Sequence, residues 1–264
     1  MLTTRSQRVR EARALRRRAV RQHRGLFLAE GAQAVREALA KPDVLRELFV
    51  TPDAASRHAD VIDAASVPVH LADDVALMSL SETVTPQGLV AVCRFLTVPL
   101  AEALRRVSRL IAVLVEVRDP GNAGTVIRCA DAAGADAVIF AGESVDPYSG
   151  KCVRATAGSL FHLPVVIGDD VVGVIDSLRK RGMSILAADG AGPTDLDEAA
   201  DTGLLDDPTA WLFGNEAHGL AEPAMKSADR AVRVPIHGQA ESLNLATAAA
   251  VCLYASARAH RRAL

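Results

Sequence analysis

Aromatic side chains are scarce in this chain of 264 residues: one tryptophan, two tyrosines and six phenylalanines, 3% of the total. That excludes a platform of stacked rings as its main device for holding flat ligands. Cysteine is nearly absent too. Cys93, Cys129, Cys152 and Cys252 form no C-x-x-C pair and none has a histidine at zinc spacing, which excludes a disulfide scaffold and points to a reduced, cytoplasmic chain. The seven histidines form neither H-x-x-x-H nor H-E-x-x-H, so no metal is expected. Long apolar runs are missing. The longest uncharged stretch of helical character, Ser242 to Ala257, has 16 residues, short of the ~20 that span a bilayer. The N-terminus has no apolar core of a secretory signal, although an arginine-rich transit peptide would share its composition.

What is present is a globular balance, 50% apolar and 23% charged, with a formal net charge of only −2. The charge is unevenly spread. Residues 1–24 carry nine arginines against Glu11 alone, +8, which leaves −10 on the other 240 residues. A basic arm on an acidic body suits a polyanion such as nucleic acid, or is simply a solvated arm.

Apolar periodicity divides the rest. A helix is expected over Ala29–Leu39, strands at Leu48–Val50 and Val67–Leu71, helices over 53–65 and Asp73–Leu80, and a strand at Gly88–Phe95. That is a small α/β domain, residues 25–97, followed by a charged linker, 98–107. From 108 to 264 aliphatic strands (Leu110–Val117, Ala137–Ala141, Leu163–Ile167, Met183–Ala188, Thr209–Phe213, Ala231–Val234) alternate with helices. The helices are Gly124–Ala133, Lys151–Gly158, Asp170–Arg181, Pro223–Ser227 and Leu243–His260. Such alternation predicts a parallel sheet covered on both faces, with ligands beyond the carboxyl ends of its strands.

Three loops lie there. In Asp119-Pro120-Gly121-Asn122-Ala123-Gly124-Thr125 small residues open a helix carrying Arg128, neither a Walker A nor a G-x-G-x-x-G loop. In Phe213-Gly214-Asn215-Glu216-Ala217-His218-Gly219-Leu220 two glycines flank a carboxylate directly after an apolar strand. His218 is a weak general-base candidate, having no carboxylate or nucleophile at motif spacing. In the third, Glu241, Ser242 and Asn244 crowd the start of the last helix. Taken singly, each loop also reads as an ordinary turn, an exposed acid or a helix cap.

Together, in this order, they resemble the three motifs of the SpoU (TrmH-like) branch of the SPOUT RNA methyltransferases: DPGNAGTVIRCADAAGADAV (119–138), LFGNEAHGL (212–220) and VPIHGQAESLNLATAAAVCLY (234–254). The stretch FLAEGAQAVREAL…LFVTPD…QGLVAVCRF resembles the L30e-like substrate-binding domain that often precedes them.

The resemblance implies an α/β fold whose parallel-sheet SPOUT domain carries a deep trefoil knot, preceded by an L30e-like domain. It implies methylation of a ribose 2′-hydroxyl of RNA by S-adenosyl-L-methionine, and a homodimer sharing its site. Ribosomal RNA of the large subunit is the favoured substrate. Transfer RNA, a catalytically silent RNA-binding protein and a small-molecule enzyme with a nucleotide cofactor are the alternatives. Carried over by position, Asn122, Arg128, Glu216, Ser242 and Asn244 match the catalytic motif residues. Cofactor contacts fall at Ala188, Asp189, Gly190, Phe213, Gly214, Gly219, Ile236, Leu243 and Ala246. The expected RNA contacts are Arg5, Arg8, Arg16, Arg17 and Arg18, with Lys151 and Arg154 as second choices.

Overall fold

The structure is a computed structural model of the chain and describes residues 1–105, 107–168 and 170–262. It divides into two units, residues 1–96 with 146–162, and residues 97–145 with 163–264. The expected linker includes residue 106, and the expected second domain residues 169, 263 and 264, which lie outside the described residues.

The first unit holds β1 (Leu26–Glu30), β2 (Leu45–Val50), β3 (Val69–Leu71) and β4 (Leu89–Arg94) in one sheet of order β1-β4-β2-β3. β4 runs antiparallel to both neighbours, and β2 and β3 are parallel. β1 was not expected. Its burial alternates along Leu26–Glu30, and Gly31, at φ +92°, turns the chain into the helix Ala32–Leu39. The helix expected over 53–65 is two, Pro52–Arg57 and Ala59–Asp63, broken at His58.

The basic segment is not a free arm. It forms the helices Gln7–Ala14 and Arg18–Arg24. Val9, Ala12 and Leu15 are buried in a core with Phe49, Leu77, Leu80, Val90 and Val92. Three small apolar residues at helical spacing outweighed the charge: they cover the sheet while the arginines point outward. Arg21 is the exception. It donates to Asp146 Oδ2 from Nε (3.0 Å) and Nη2 (2.6 Å), and from Nη1 to the carbonyls of Leu15 and Arg16. Residues 146–162 join this unit through rings. Tyr148 stacks on Phe95 at 4.1 Å and sits 4.8 Å from Phe27, and its hydroxyl accepts from the Leu96 amide.

The second unit is a parallel sheet of β5 (Leu110–Val115), β6 (Ala137–Ala141), β7 (Val165–Gly168), β8 (Ser184–Ala188), β9 (Thr194–Asp195), β10 (Thr209–Phe213) and β11 (Arg230–Arg233), in the order β7-β6-β5-β10-β8-β11-β9. β9, a two-residue edge strand, was not expected. The first three strands step to one side of β5. The chain then returns on the other side and inserts β10 beside β5. Sequence direction therefore reverses between β5 and β10, where ligands of open parallel sheets bind. The helix Leu245–Arg262 packs on the helix Pro120–Ala133 and against β5, β8 and β10. Trp211 is fully buried and donates to Ser256 at 2.9 Å, which pins this last helix to β10. Among the described residues, no helix is long and apolar enough to cross a membrane.

Arg21 and Asp146 side chains are 6% and 10% exposed. Removing one partner of so buried a pair leaves the other uncompensated, so Arg21→Ala is expected to lose about 3–5 kcal/mol of stability in urea unfolding. Replacing both by apolar residues should recover most of it.

Candidate active site

The carboxyl ends of β5 and β10 carry the first two loops, and the start of the last helix carries the third. The first loop begins its helix earlier than expected, at Pro120 rather than Gly124. Asp119 is the reason: its Oδ1 accepts from the Asn122 amide at 2.8 Å, with proline at the first helical position. Asn122 thus sits in the first helical turn, where backbone N–H groups are unpaired.

Glu216 gathers those donors. Its Oε1 accepts from the Asp119 amide (3.0 Å) and from Asn122 Nδ2 (3.2 Å), and its Oε2 from the Arg118 amide (3.1 Å). Asn122 Oδ1 accepts in turn from Asn244 Nδ2 at 3.0 Å. Asn244 Oδ1 accepts from the Ala246 amide at 2.9 Å, capping the last helix. One polar chain therefore joins all three loops. Partial burial works to raise the Glu216 pKa, but the amides of Arg118, Glu216 and Asp119 and the Asn122 side chain outweigh it and hold the group below its ordinary value.

The Glu216 loop is shaped by its glycines. Asn215 and Gly219 exchange backbone hydrogen bonds at 2.8 Å, with Gly219 at φ +66°. A Cβ on Gly214 would strike the backbone of Gly219 and Leu220.

Two cavities share Asn215, Glu216 and Gly219. One, of about 410 Å3, is walled by Ala188, Asp189 and Gly190 at the end of β8, Phe213 and Gly214 at the end of β10, and Ile236, Ser242 and Leu243 of the third loop. The other, of about 810 Å3, is lined by Glu116, Arg118, Asp119, Asn122 and the 215–219 loop with His218.

The smaller cavity thus collects eight of the nine expected cofactor positions. Ala246 is not among them: it is buried, and Leu245 and Ala248 reach the wall instead. Asn122, Glu216 and Asn244 are in mutual contact, and Ser242 lies on the cavity wall. Arg128 is apart. It is exposed, lines neither cavity and has no hydrogen bond or ion pair among the described residues. Six residues separate it from Asn122 on one helix, about 9 Å along the axis and 120° around it.

In the first unit Arg5, Arg17 and Arg18 are exposed and unpaired among the described residues, as are Arg10, Arg13 and Arg24. Arg8 pairs with Glu47 at 3.3 Å and Arg16 with Glu82 at 3.7 Å, both on the surface. Lys151 is exposed. Arg154 differs from expectation: it is held 2.7 Å from Glu30 and 3.6 Å from Glu82, so its charge is already used. Sequence reasoning missed Glu116 and Arg118 on the wall of the larger cavity, because both precede the motif and neither spacing nor composition marks them.

Burial pushes the thiols of Cys93, Cys129 and Cys252 up, the last to about 12. Among the described residues no group of three or more His, Cys, Asp or Glu could hold a metal ion.

The SpoU rRNA Methylase family matches residues 109–254, and the MRM3-like substrate binding domain matches residues 6–91. The chain is 32% identical over 255 residues, 96% of each protein, to the 23S rRNA (guanosine(2553)-2′-O)-methyltransferase RlmP of Bacillus subtilis (strain 168). It is 38% identical over 146 residues, 53% of this chain and 49% of the other, to the 23S rRNA (uridine(2479)-2′-O)-methyltransferase of Streptomyces viridochromogenes. The crystal structure of AdoMet-bound rRNA methyltransferase from Sinorhizobium meliloti superposes with a TM-score of 0.83 at 31% identity, covering 96% of this chain and 95% of that one.

A glutamate held below its ordinary pKa contributes stability that is complete above the unfolded value and lost as pH falls through the folded one. Glu216→Gln should therefore be less stable than wild type at pH 7, with the gap closing below about pH 4, read by urea unfolding at pH 7 and pH 3.

Proposed function

The chain belongs to the SpoU rRNA methylase family, and from that premise we propose a ribosomal RNA target and assign the roles of the site residues. The activity is S-adenosylmethionine-dependent methylation of a ribose 2′-hydroxyl. The observation that carries the proposal is the polar chain Glu216–Asn122–Asn244, in which Glu216 lines both cavities at the carboxyl ends of β5, β8 and β10 and Asn122 lines the larger, while Asn244 lines neither.

The smaller cavity suits the cofactor. Its volume falls in the range of small-molecule sites. Its walls combine backbone and small residues (Ala188, Gly190, Gly214, Gly238) with apolar faces of Phe213, Ile236 and Leu243. A Cβ at Gly190 would point into open space, and none fits at Gly214. When bound, the sulfonium supplies an electrophilic methyl group. The protein has to align the acceptor oxygen and ease the loss of its proton. Asn122, Asn244 and Ser242 offer amide and hydroxyl groups that orient a ribose. Glu216 holds the first and second loops in register through the Arg118 and Asp119 amides.

Arg128 has the charge to stabilise an oxyanion beside a phosphate, but it lies outside both cavities of a single chain. A second copy solves this. Val251 and Tyr254, 39% and 53% exposed, form an apolar stripe on the last helix, near in sequence to the exposed Leu243. We assign a homodimer in which Arg128 of one copy completes the cavity of the other, a deeply knotted second unit, and a cytoplasmic location. The exposed arginines of the first unit supply salt-sensitive phosphate contacts. The relatives named above act on guanosine in one case and uridine in the other, so family membership leaves the base open.

The test is calorimetric titration with S-adenosylhomocysteine, then tritiated methyl transfer to ribosomal and transfer RNA. One site per chain and transfer to ribosomal RNA are expected, with the product resistant to alkaline cleavage at the modified ribose. Transfer to transfer RNA alone would overturn the target. Arg128→Ala should lose turnover by about 100-fold or more while its affinity for S-adenosylhomocysteine stays near wild type. Gly214→Ala should lose that affinity.

Replacing Arg10, Arg13, Arg17 and Arg18 together by glutamine leaves Val9, Ala12 and Leu15 in place. It should weaken RNA binding and shrink its dependence on salt, measured by filter binding at 50 to 200 mM salt. An unchanged slope would remove these arginines from the interface.

A further inference from the structure

Glu116 is a carboxylate that the roles assigned so far leave unused. It follows β5, lines the cavity of about 810 Å3 beside Glu216, and is partly buried. Its side chain has no hydrogen bond or ion pair among the described residues. Its backbone is held at φ +53°, a conformation unfavourable for any residue with a Cβ. Neighbours impose that turn. The Glu116 amide donates to the Ala141 carbonyl at 3.0 Å, and its carbonyl accepts from Asn215 Nδ2 at 2.9 Å, one residue before Glu216. Gly142 leaves room for the side-chain stem: a Cβ there would come within 3.0 Å of Glu116 Cγ. Backbone strain kept at a residue that lines a cavity and carries an unpaired acceptor points to a ligand contact.

We propose that this cavity seats the base of the target nucleotide and that Glu116 reads it as guanine. The inference rests on the methyltransferase reading above, and deepens it. The two cavities meet at Asn215, Glu216 and Gly219, so a nucleotide whose ribose faces the polar chain has the larger cavity for its base. An ionised carboxylate only accepts hydrogen bonds, and does so through two oxygens side by side. Guanine alone presents two adjacent donors, N1–H and an N2 amino hydrogen. Adenine and cytosine pair one amino donor with an adjacent ring acceptor, and uracil sets its N3–H between two carbonyls that a carboxylate repels. A site built to accept from a donor discriminates strongly against bases lacking it, because its own polar group is then left unpaired. Recognition of an unpaired base on its Watson–Crick edge is the usual mode for RNA.

The experiment uses the full chain, tritiated S-adenosylmethionine and a 23S rRNA transcript from the source organism, with the methylated nucleoside identified by nuclease digestion and mass spectrometry. The expected product is 2′-O-methylguanosine. Glu116→Gln should lower kcat/KM by about 10- to 100-fold, chiefly through KM, with S-adenosylhomocysteine affinity unchanged. Glu116→Gly should lose as much activity while its Tm stays level or rises, since glycine accepts φ +53° without strain. A merely structural Glu116 would move the two together. In a short RNA spanning the mapped site, inosine for guanosine removes the N2 donor. Wild type should lose a similar factor, and Glu116→Gly should lose none. Transfer to another nucleoside, or full activity of both variants, would overturn the assignment and leave the methyltransferase standing. No transfer to any RNA by wild type would overturn both.

Discussion

The Glu216 carboxylate accepting hydrogen bonds from Arg118, Asp119 and Asn122 is the interaction on which the site depends. β5 and β10 are neighbours in the sheet but 94 residues or more separate the groups that meet at their ends. Sheet pairing brings the two loops near each other; the carboxylate fixes their relative position, with Asn215 Nδ2 donating to the Glu116 carbonyl beside it. It does so with unpaired donors that the start of the Pro120–Ala133 helix offers in any case. The same helix turn then reaches Asn244 through Asn122, so the third loop is registered against the first. Three segments far apart in sequence are thereby set by four hydrogen bonds, each to a group that would otherwise need water.

Closeness is the second constraint. The last helix packs simultaneously on another helix and on three strands, and its contact face is built of Ala246, Ala249, Cys252, Leu253, Ser256 and Ala257, nearly all small. Small faces let backbones approach, and Ser256 returns one specific bond, to the Trp211 indole. At Gly214 and Gly192 the same economy appears in the loops: a side chain at either would meet backbone atoms of the facing segment. Gly214 also lines the smaller cavity, together with Gly190, Gly219 and Gly238.

Legibility followed from how local the determining physics was. Strands β5, β6 and β10 were readable because a strand buried on both faces must be almost wholly apolar. The short strand β9 and the start of β1 were not, because two paired residues or an alternation beginning in a loop leave no periodic signal. The basic segment misled for a different reason. Nine arginines dominate its composition, yet Val9, Ala12 and Leu15 at positions 3 and 3 apart decide its fate. Arg21 and Asp146 lie 125 residues apart, and nothing in either neighbourhood announces the pair. In the candidate site, Glu216, Asn122 and Asn244 carry motif spacing, and the fold brings their side chains into contact. Arg154 looked like a free cation from its helix alone, and became a paired one only once Glu30 and Glu82 were placed beside it. Glu116 carries no spacing at all, and only its backbone angle and its place on the cavity wall single it out.

Those two features of Glu116 bear on each other. A residue held at positive φ costs stability of order 1–3 kcal/mol unless it is glycine, and this carboxylate gains no hydrogen bond or ion pair among the described residues. The backbone alone favours glycine at this position. Glu216, one residue after the Asn215 that donates to the Glu116 carbonyl, is the opposite case, with three donors and a lowered pKa. One acid is satisfied by the protein and positions its loops; the other has no partner among the described residues and belongs to a residue of the cavity wall. In a site where every other acceptor among Asp119, Asn122, Asn215 and Asn244 is bound to a neighbour, the acceptor kept open is the one whose partner has to come from outside the chain.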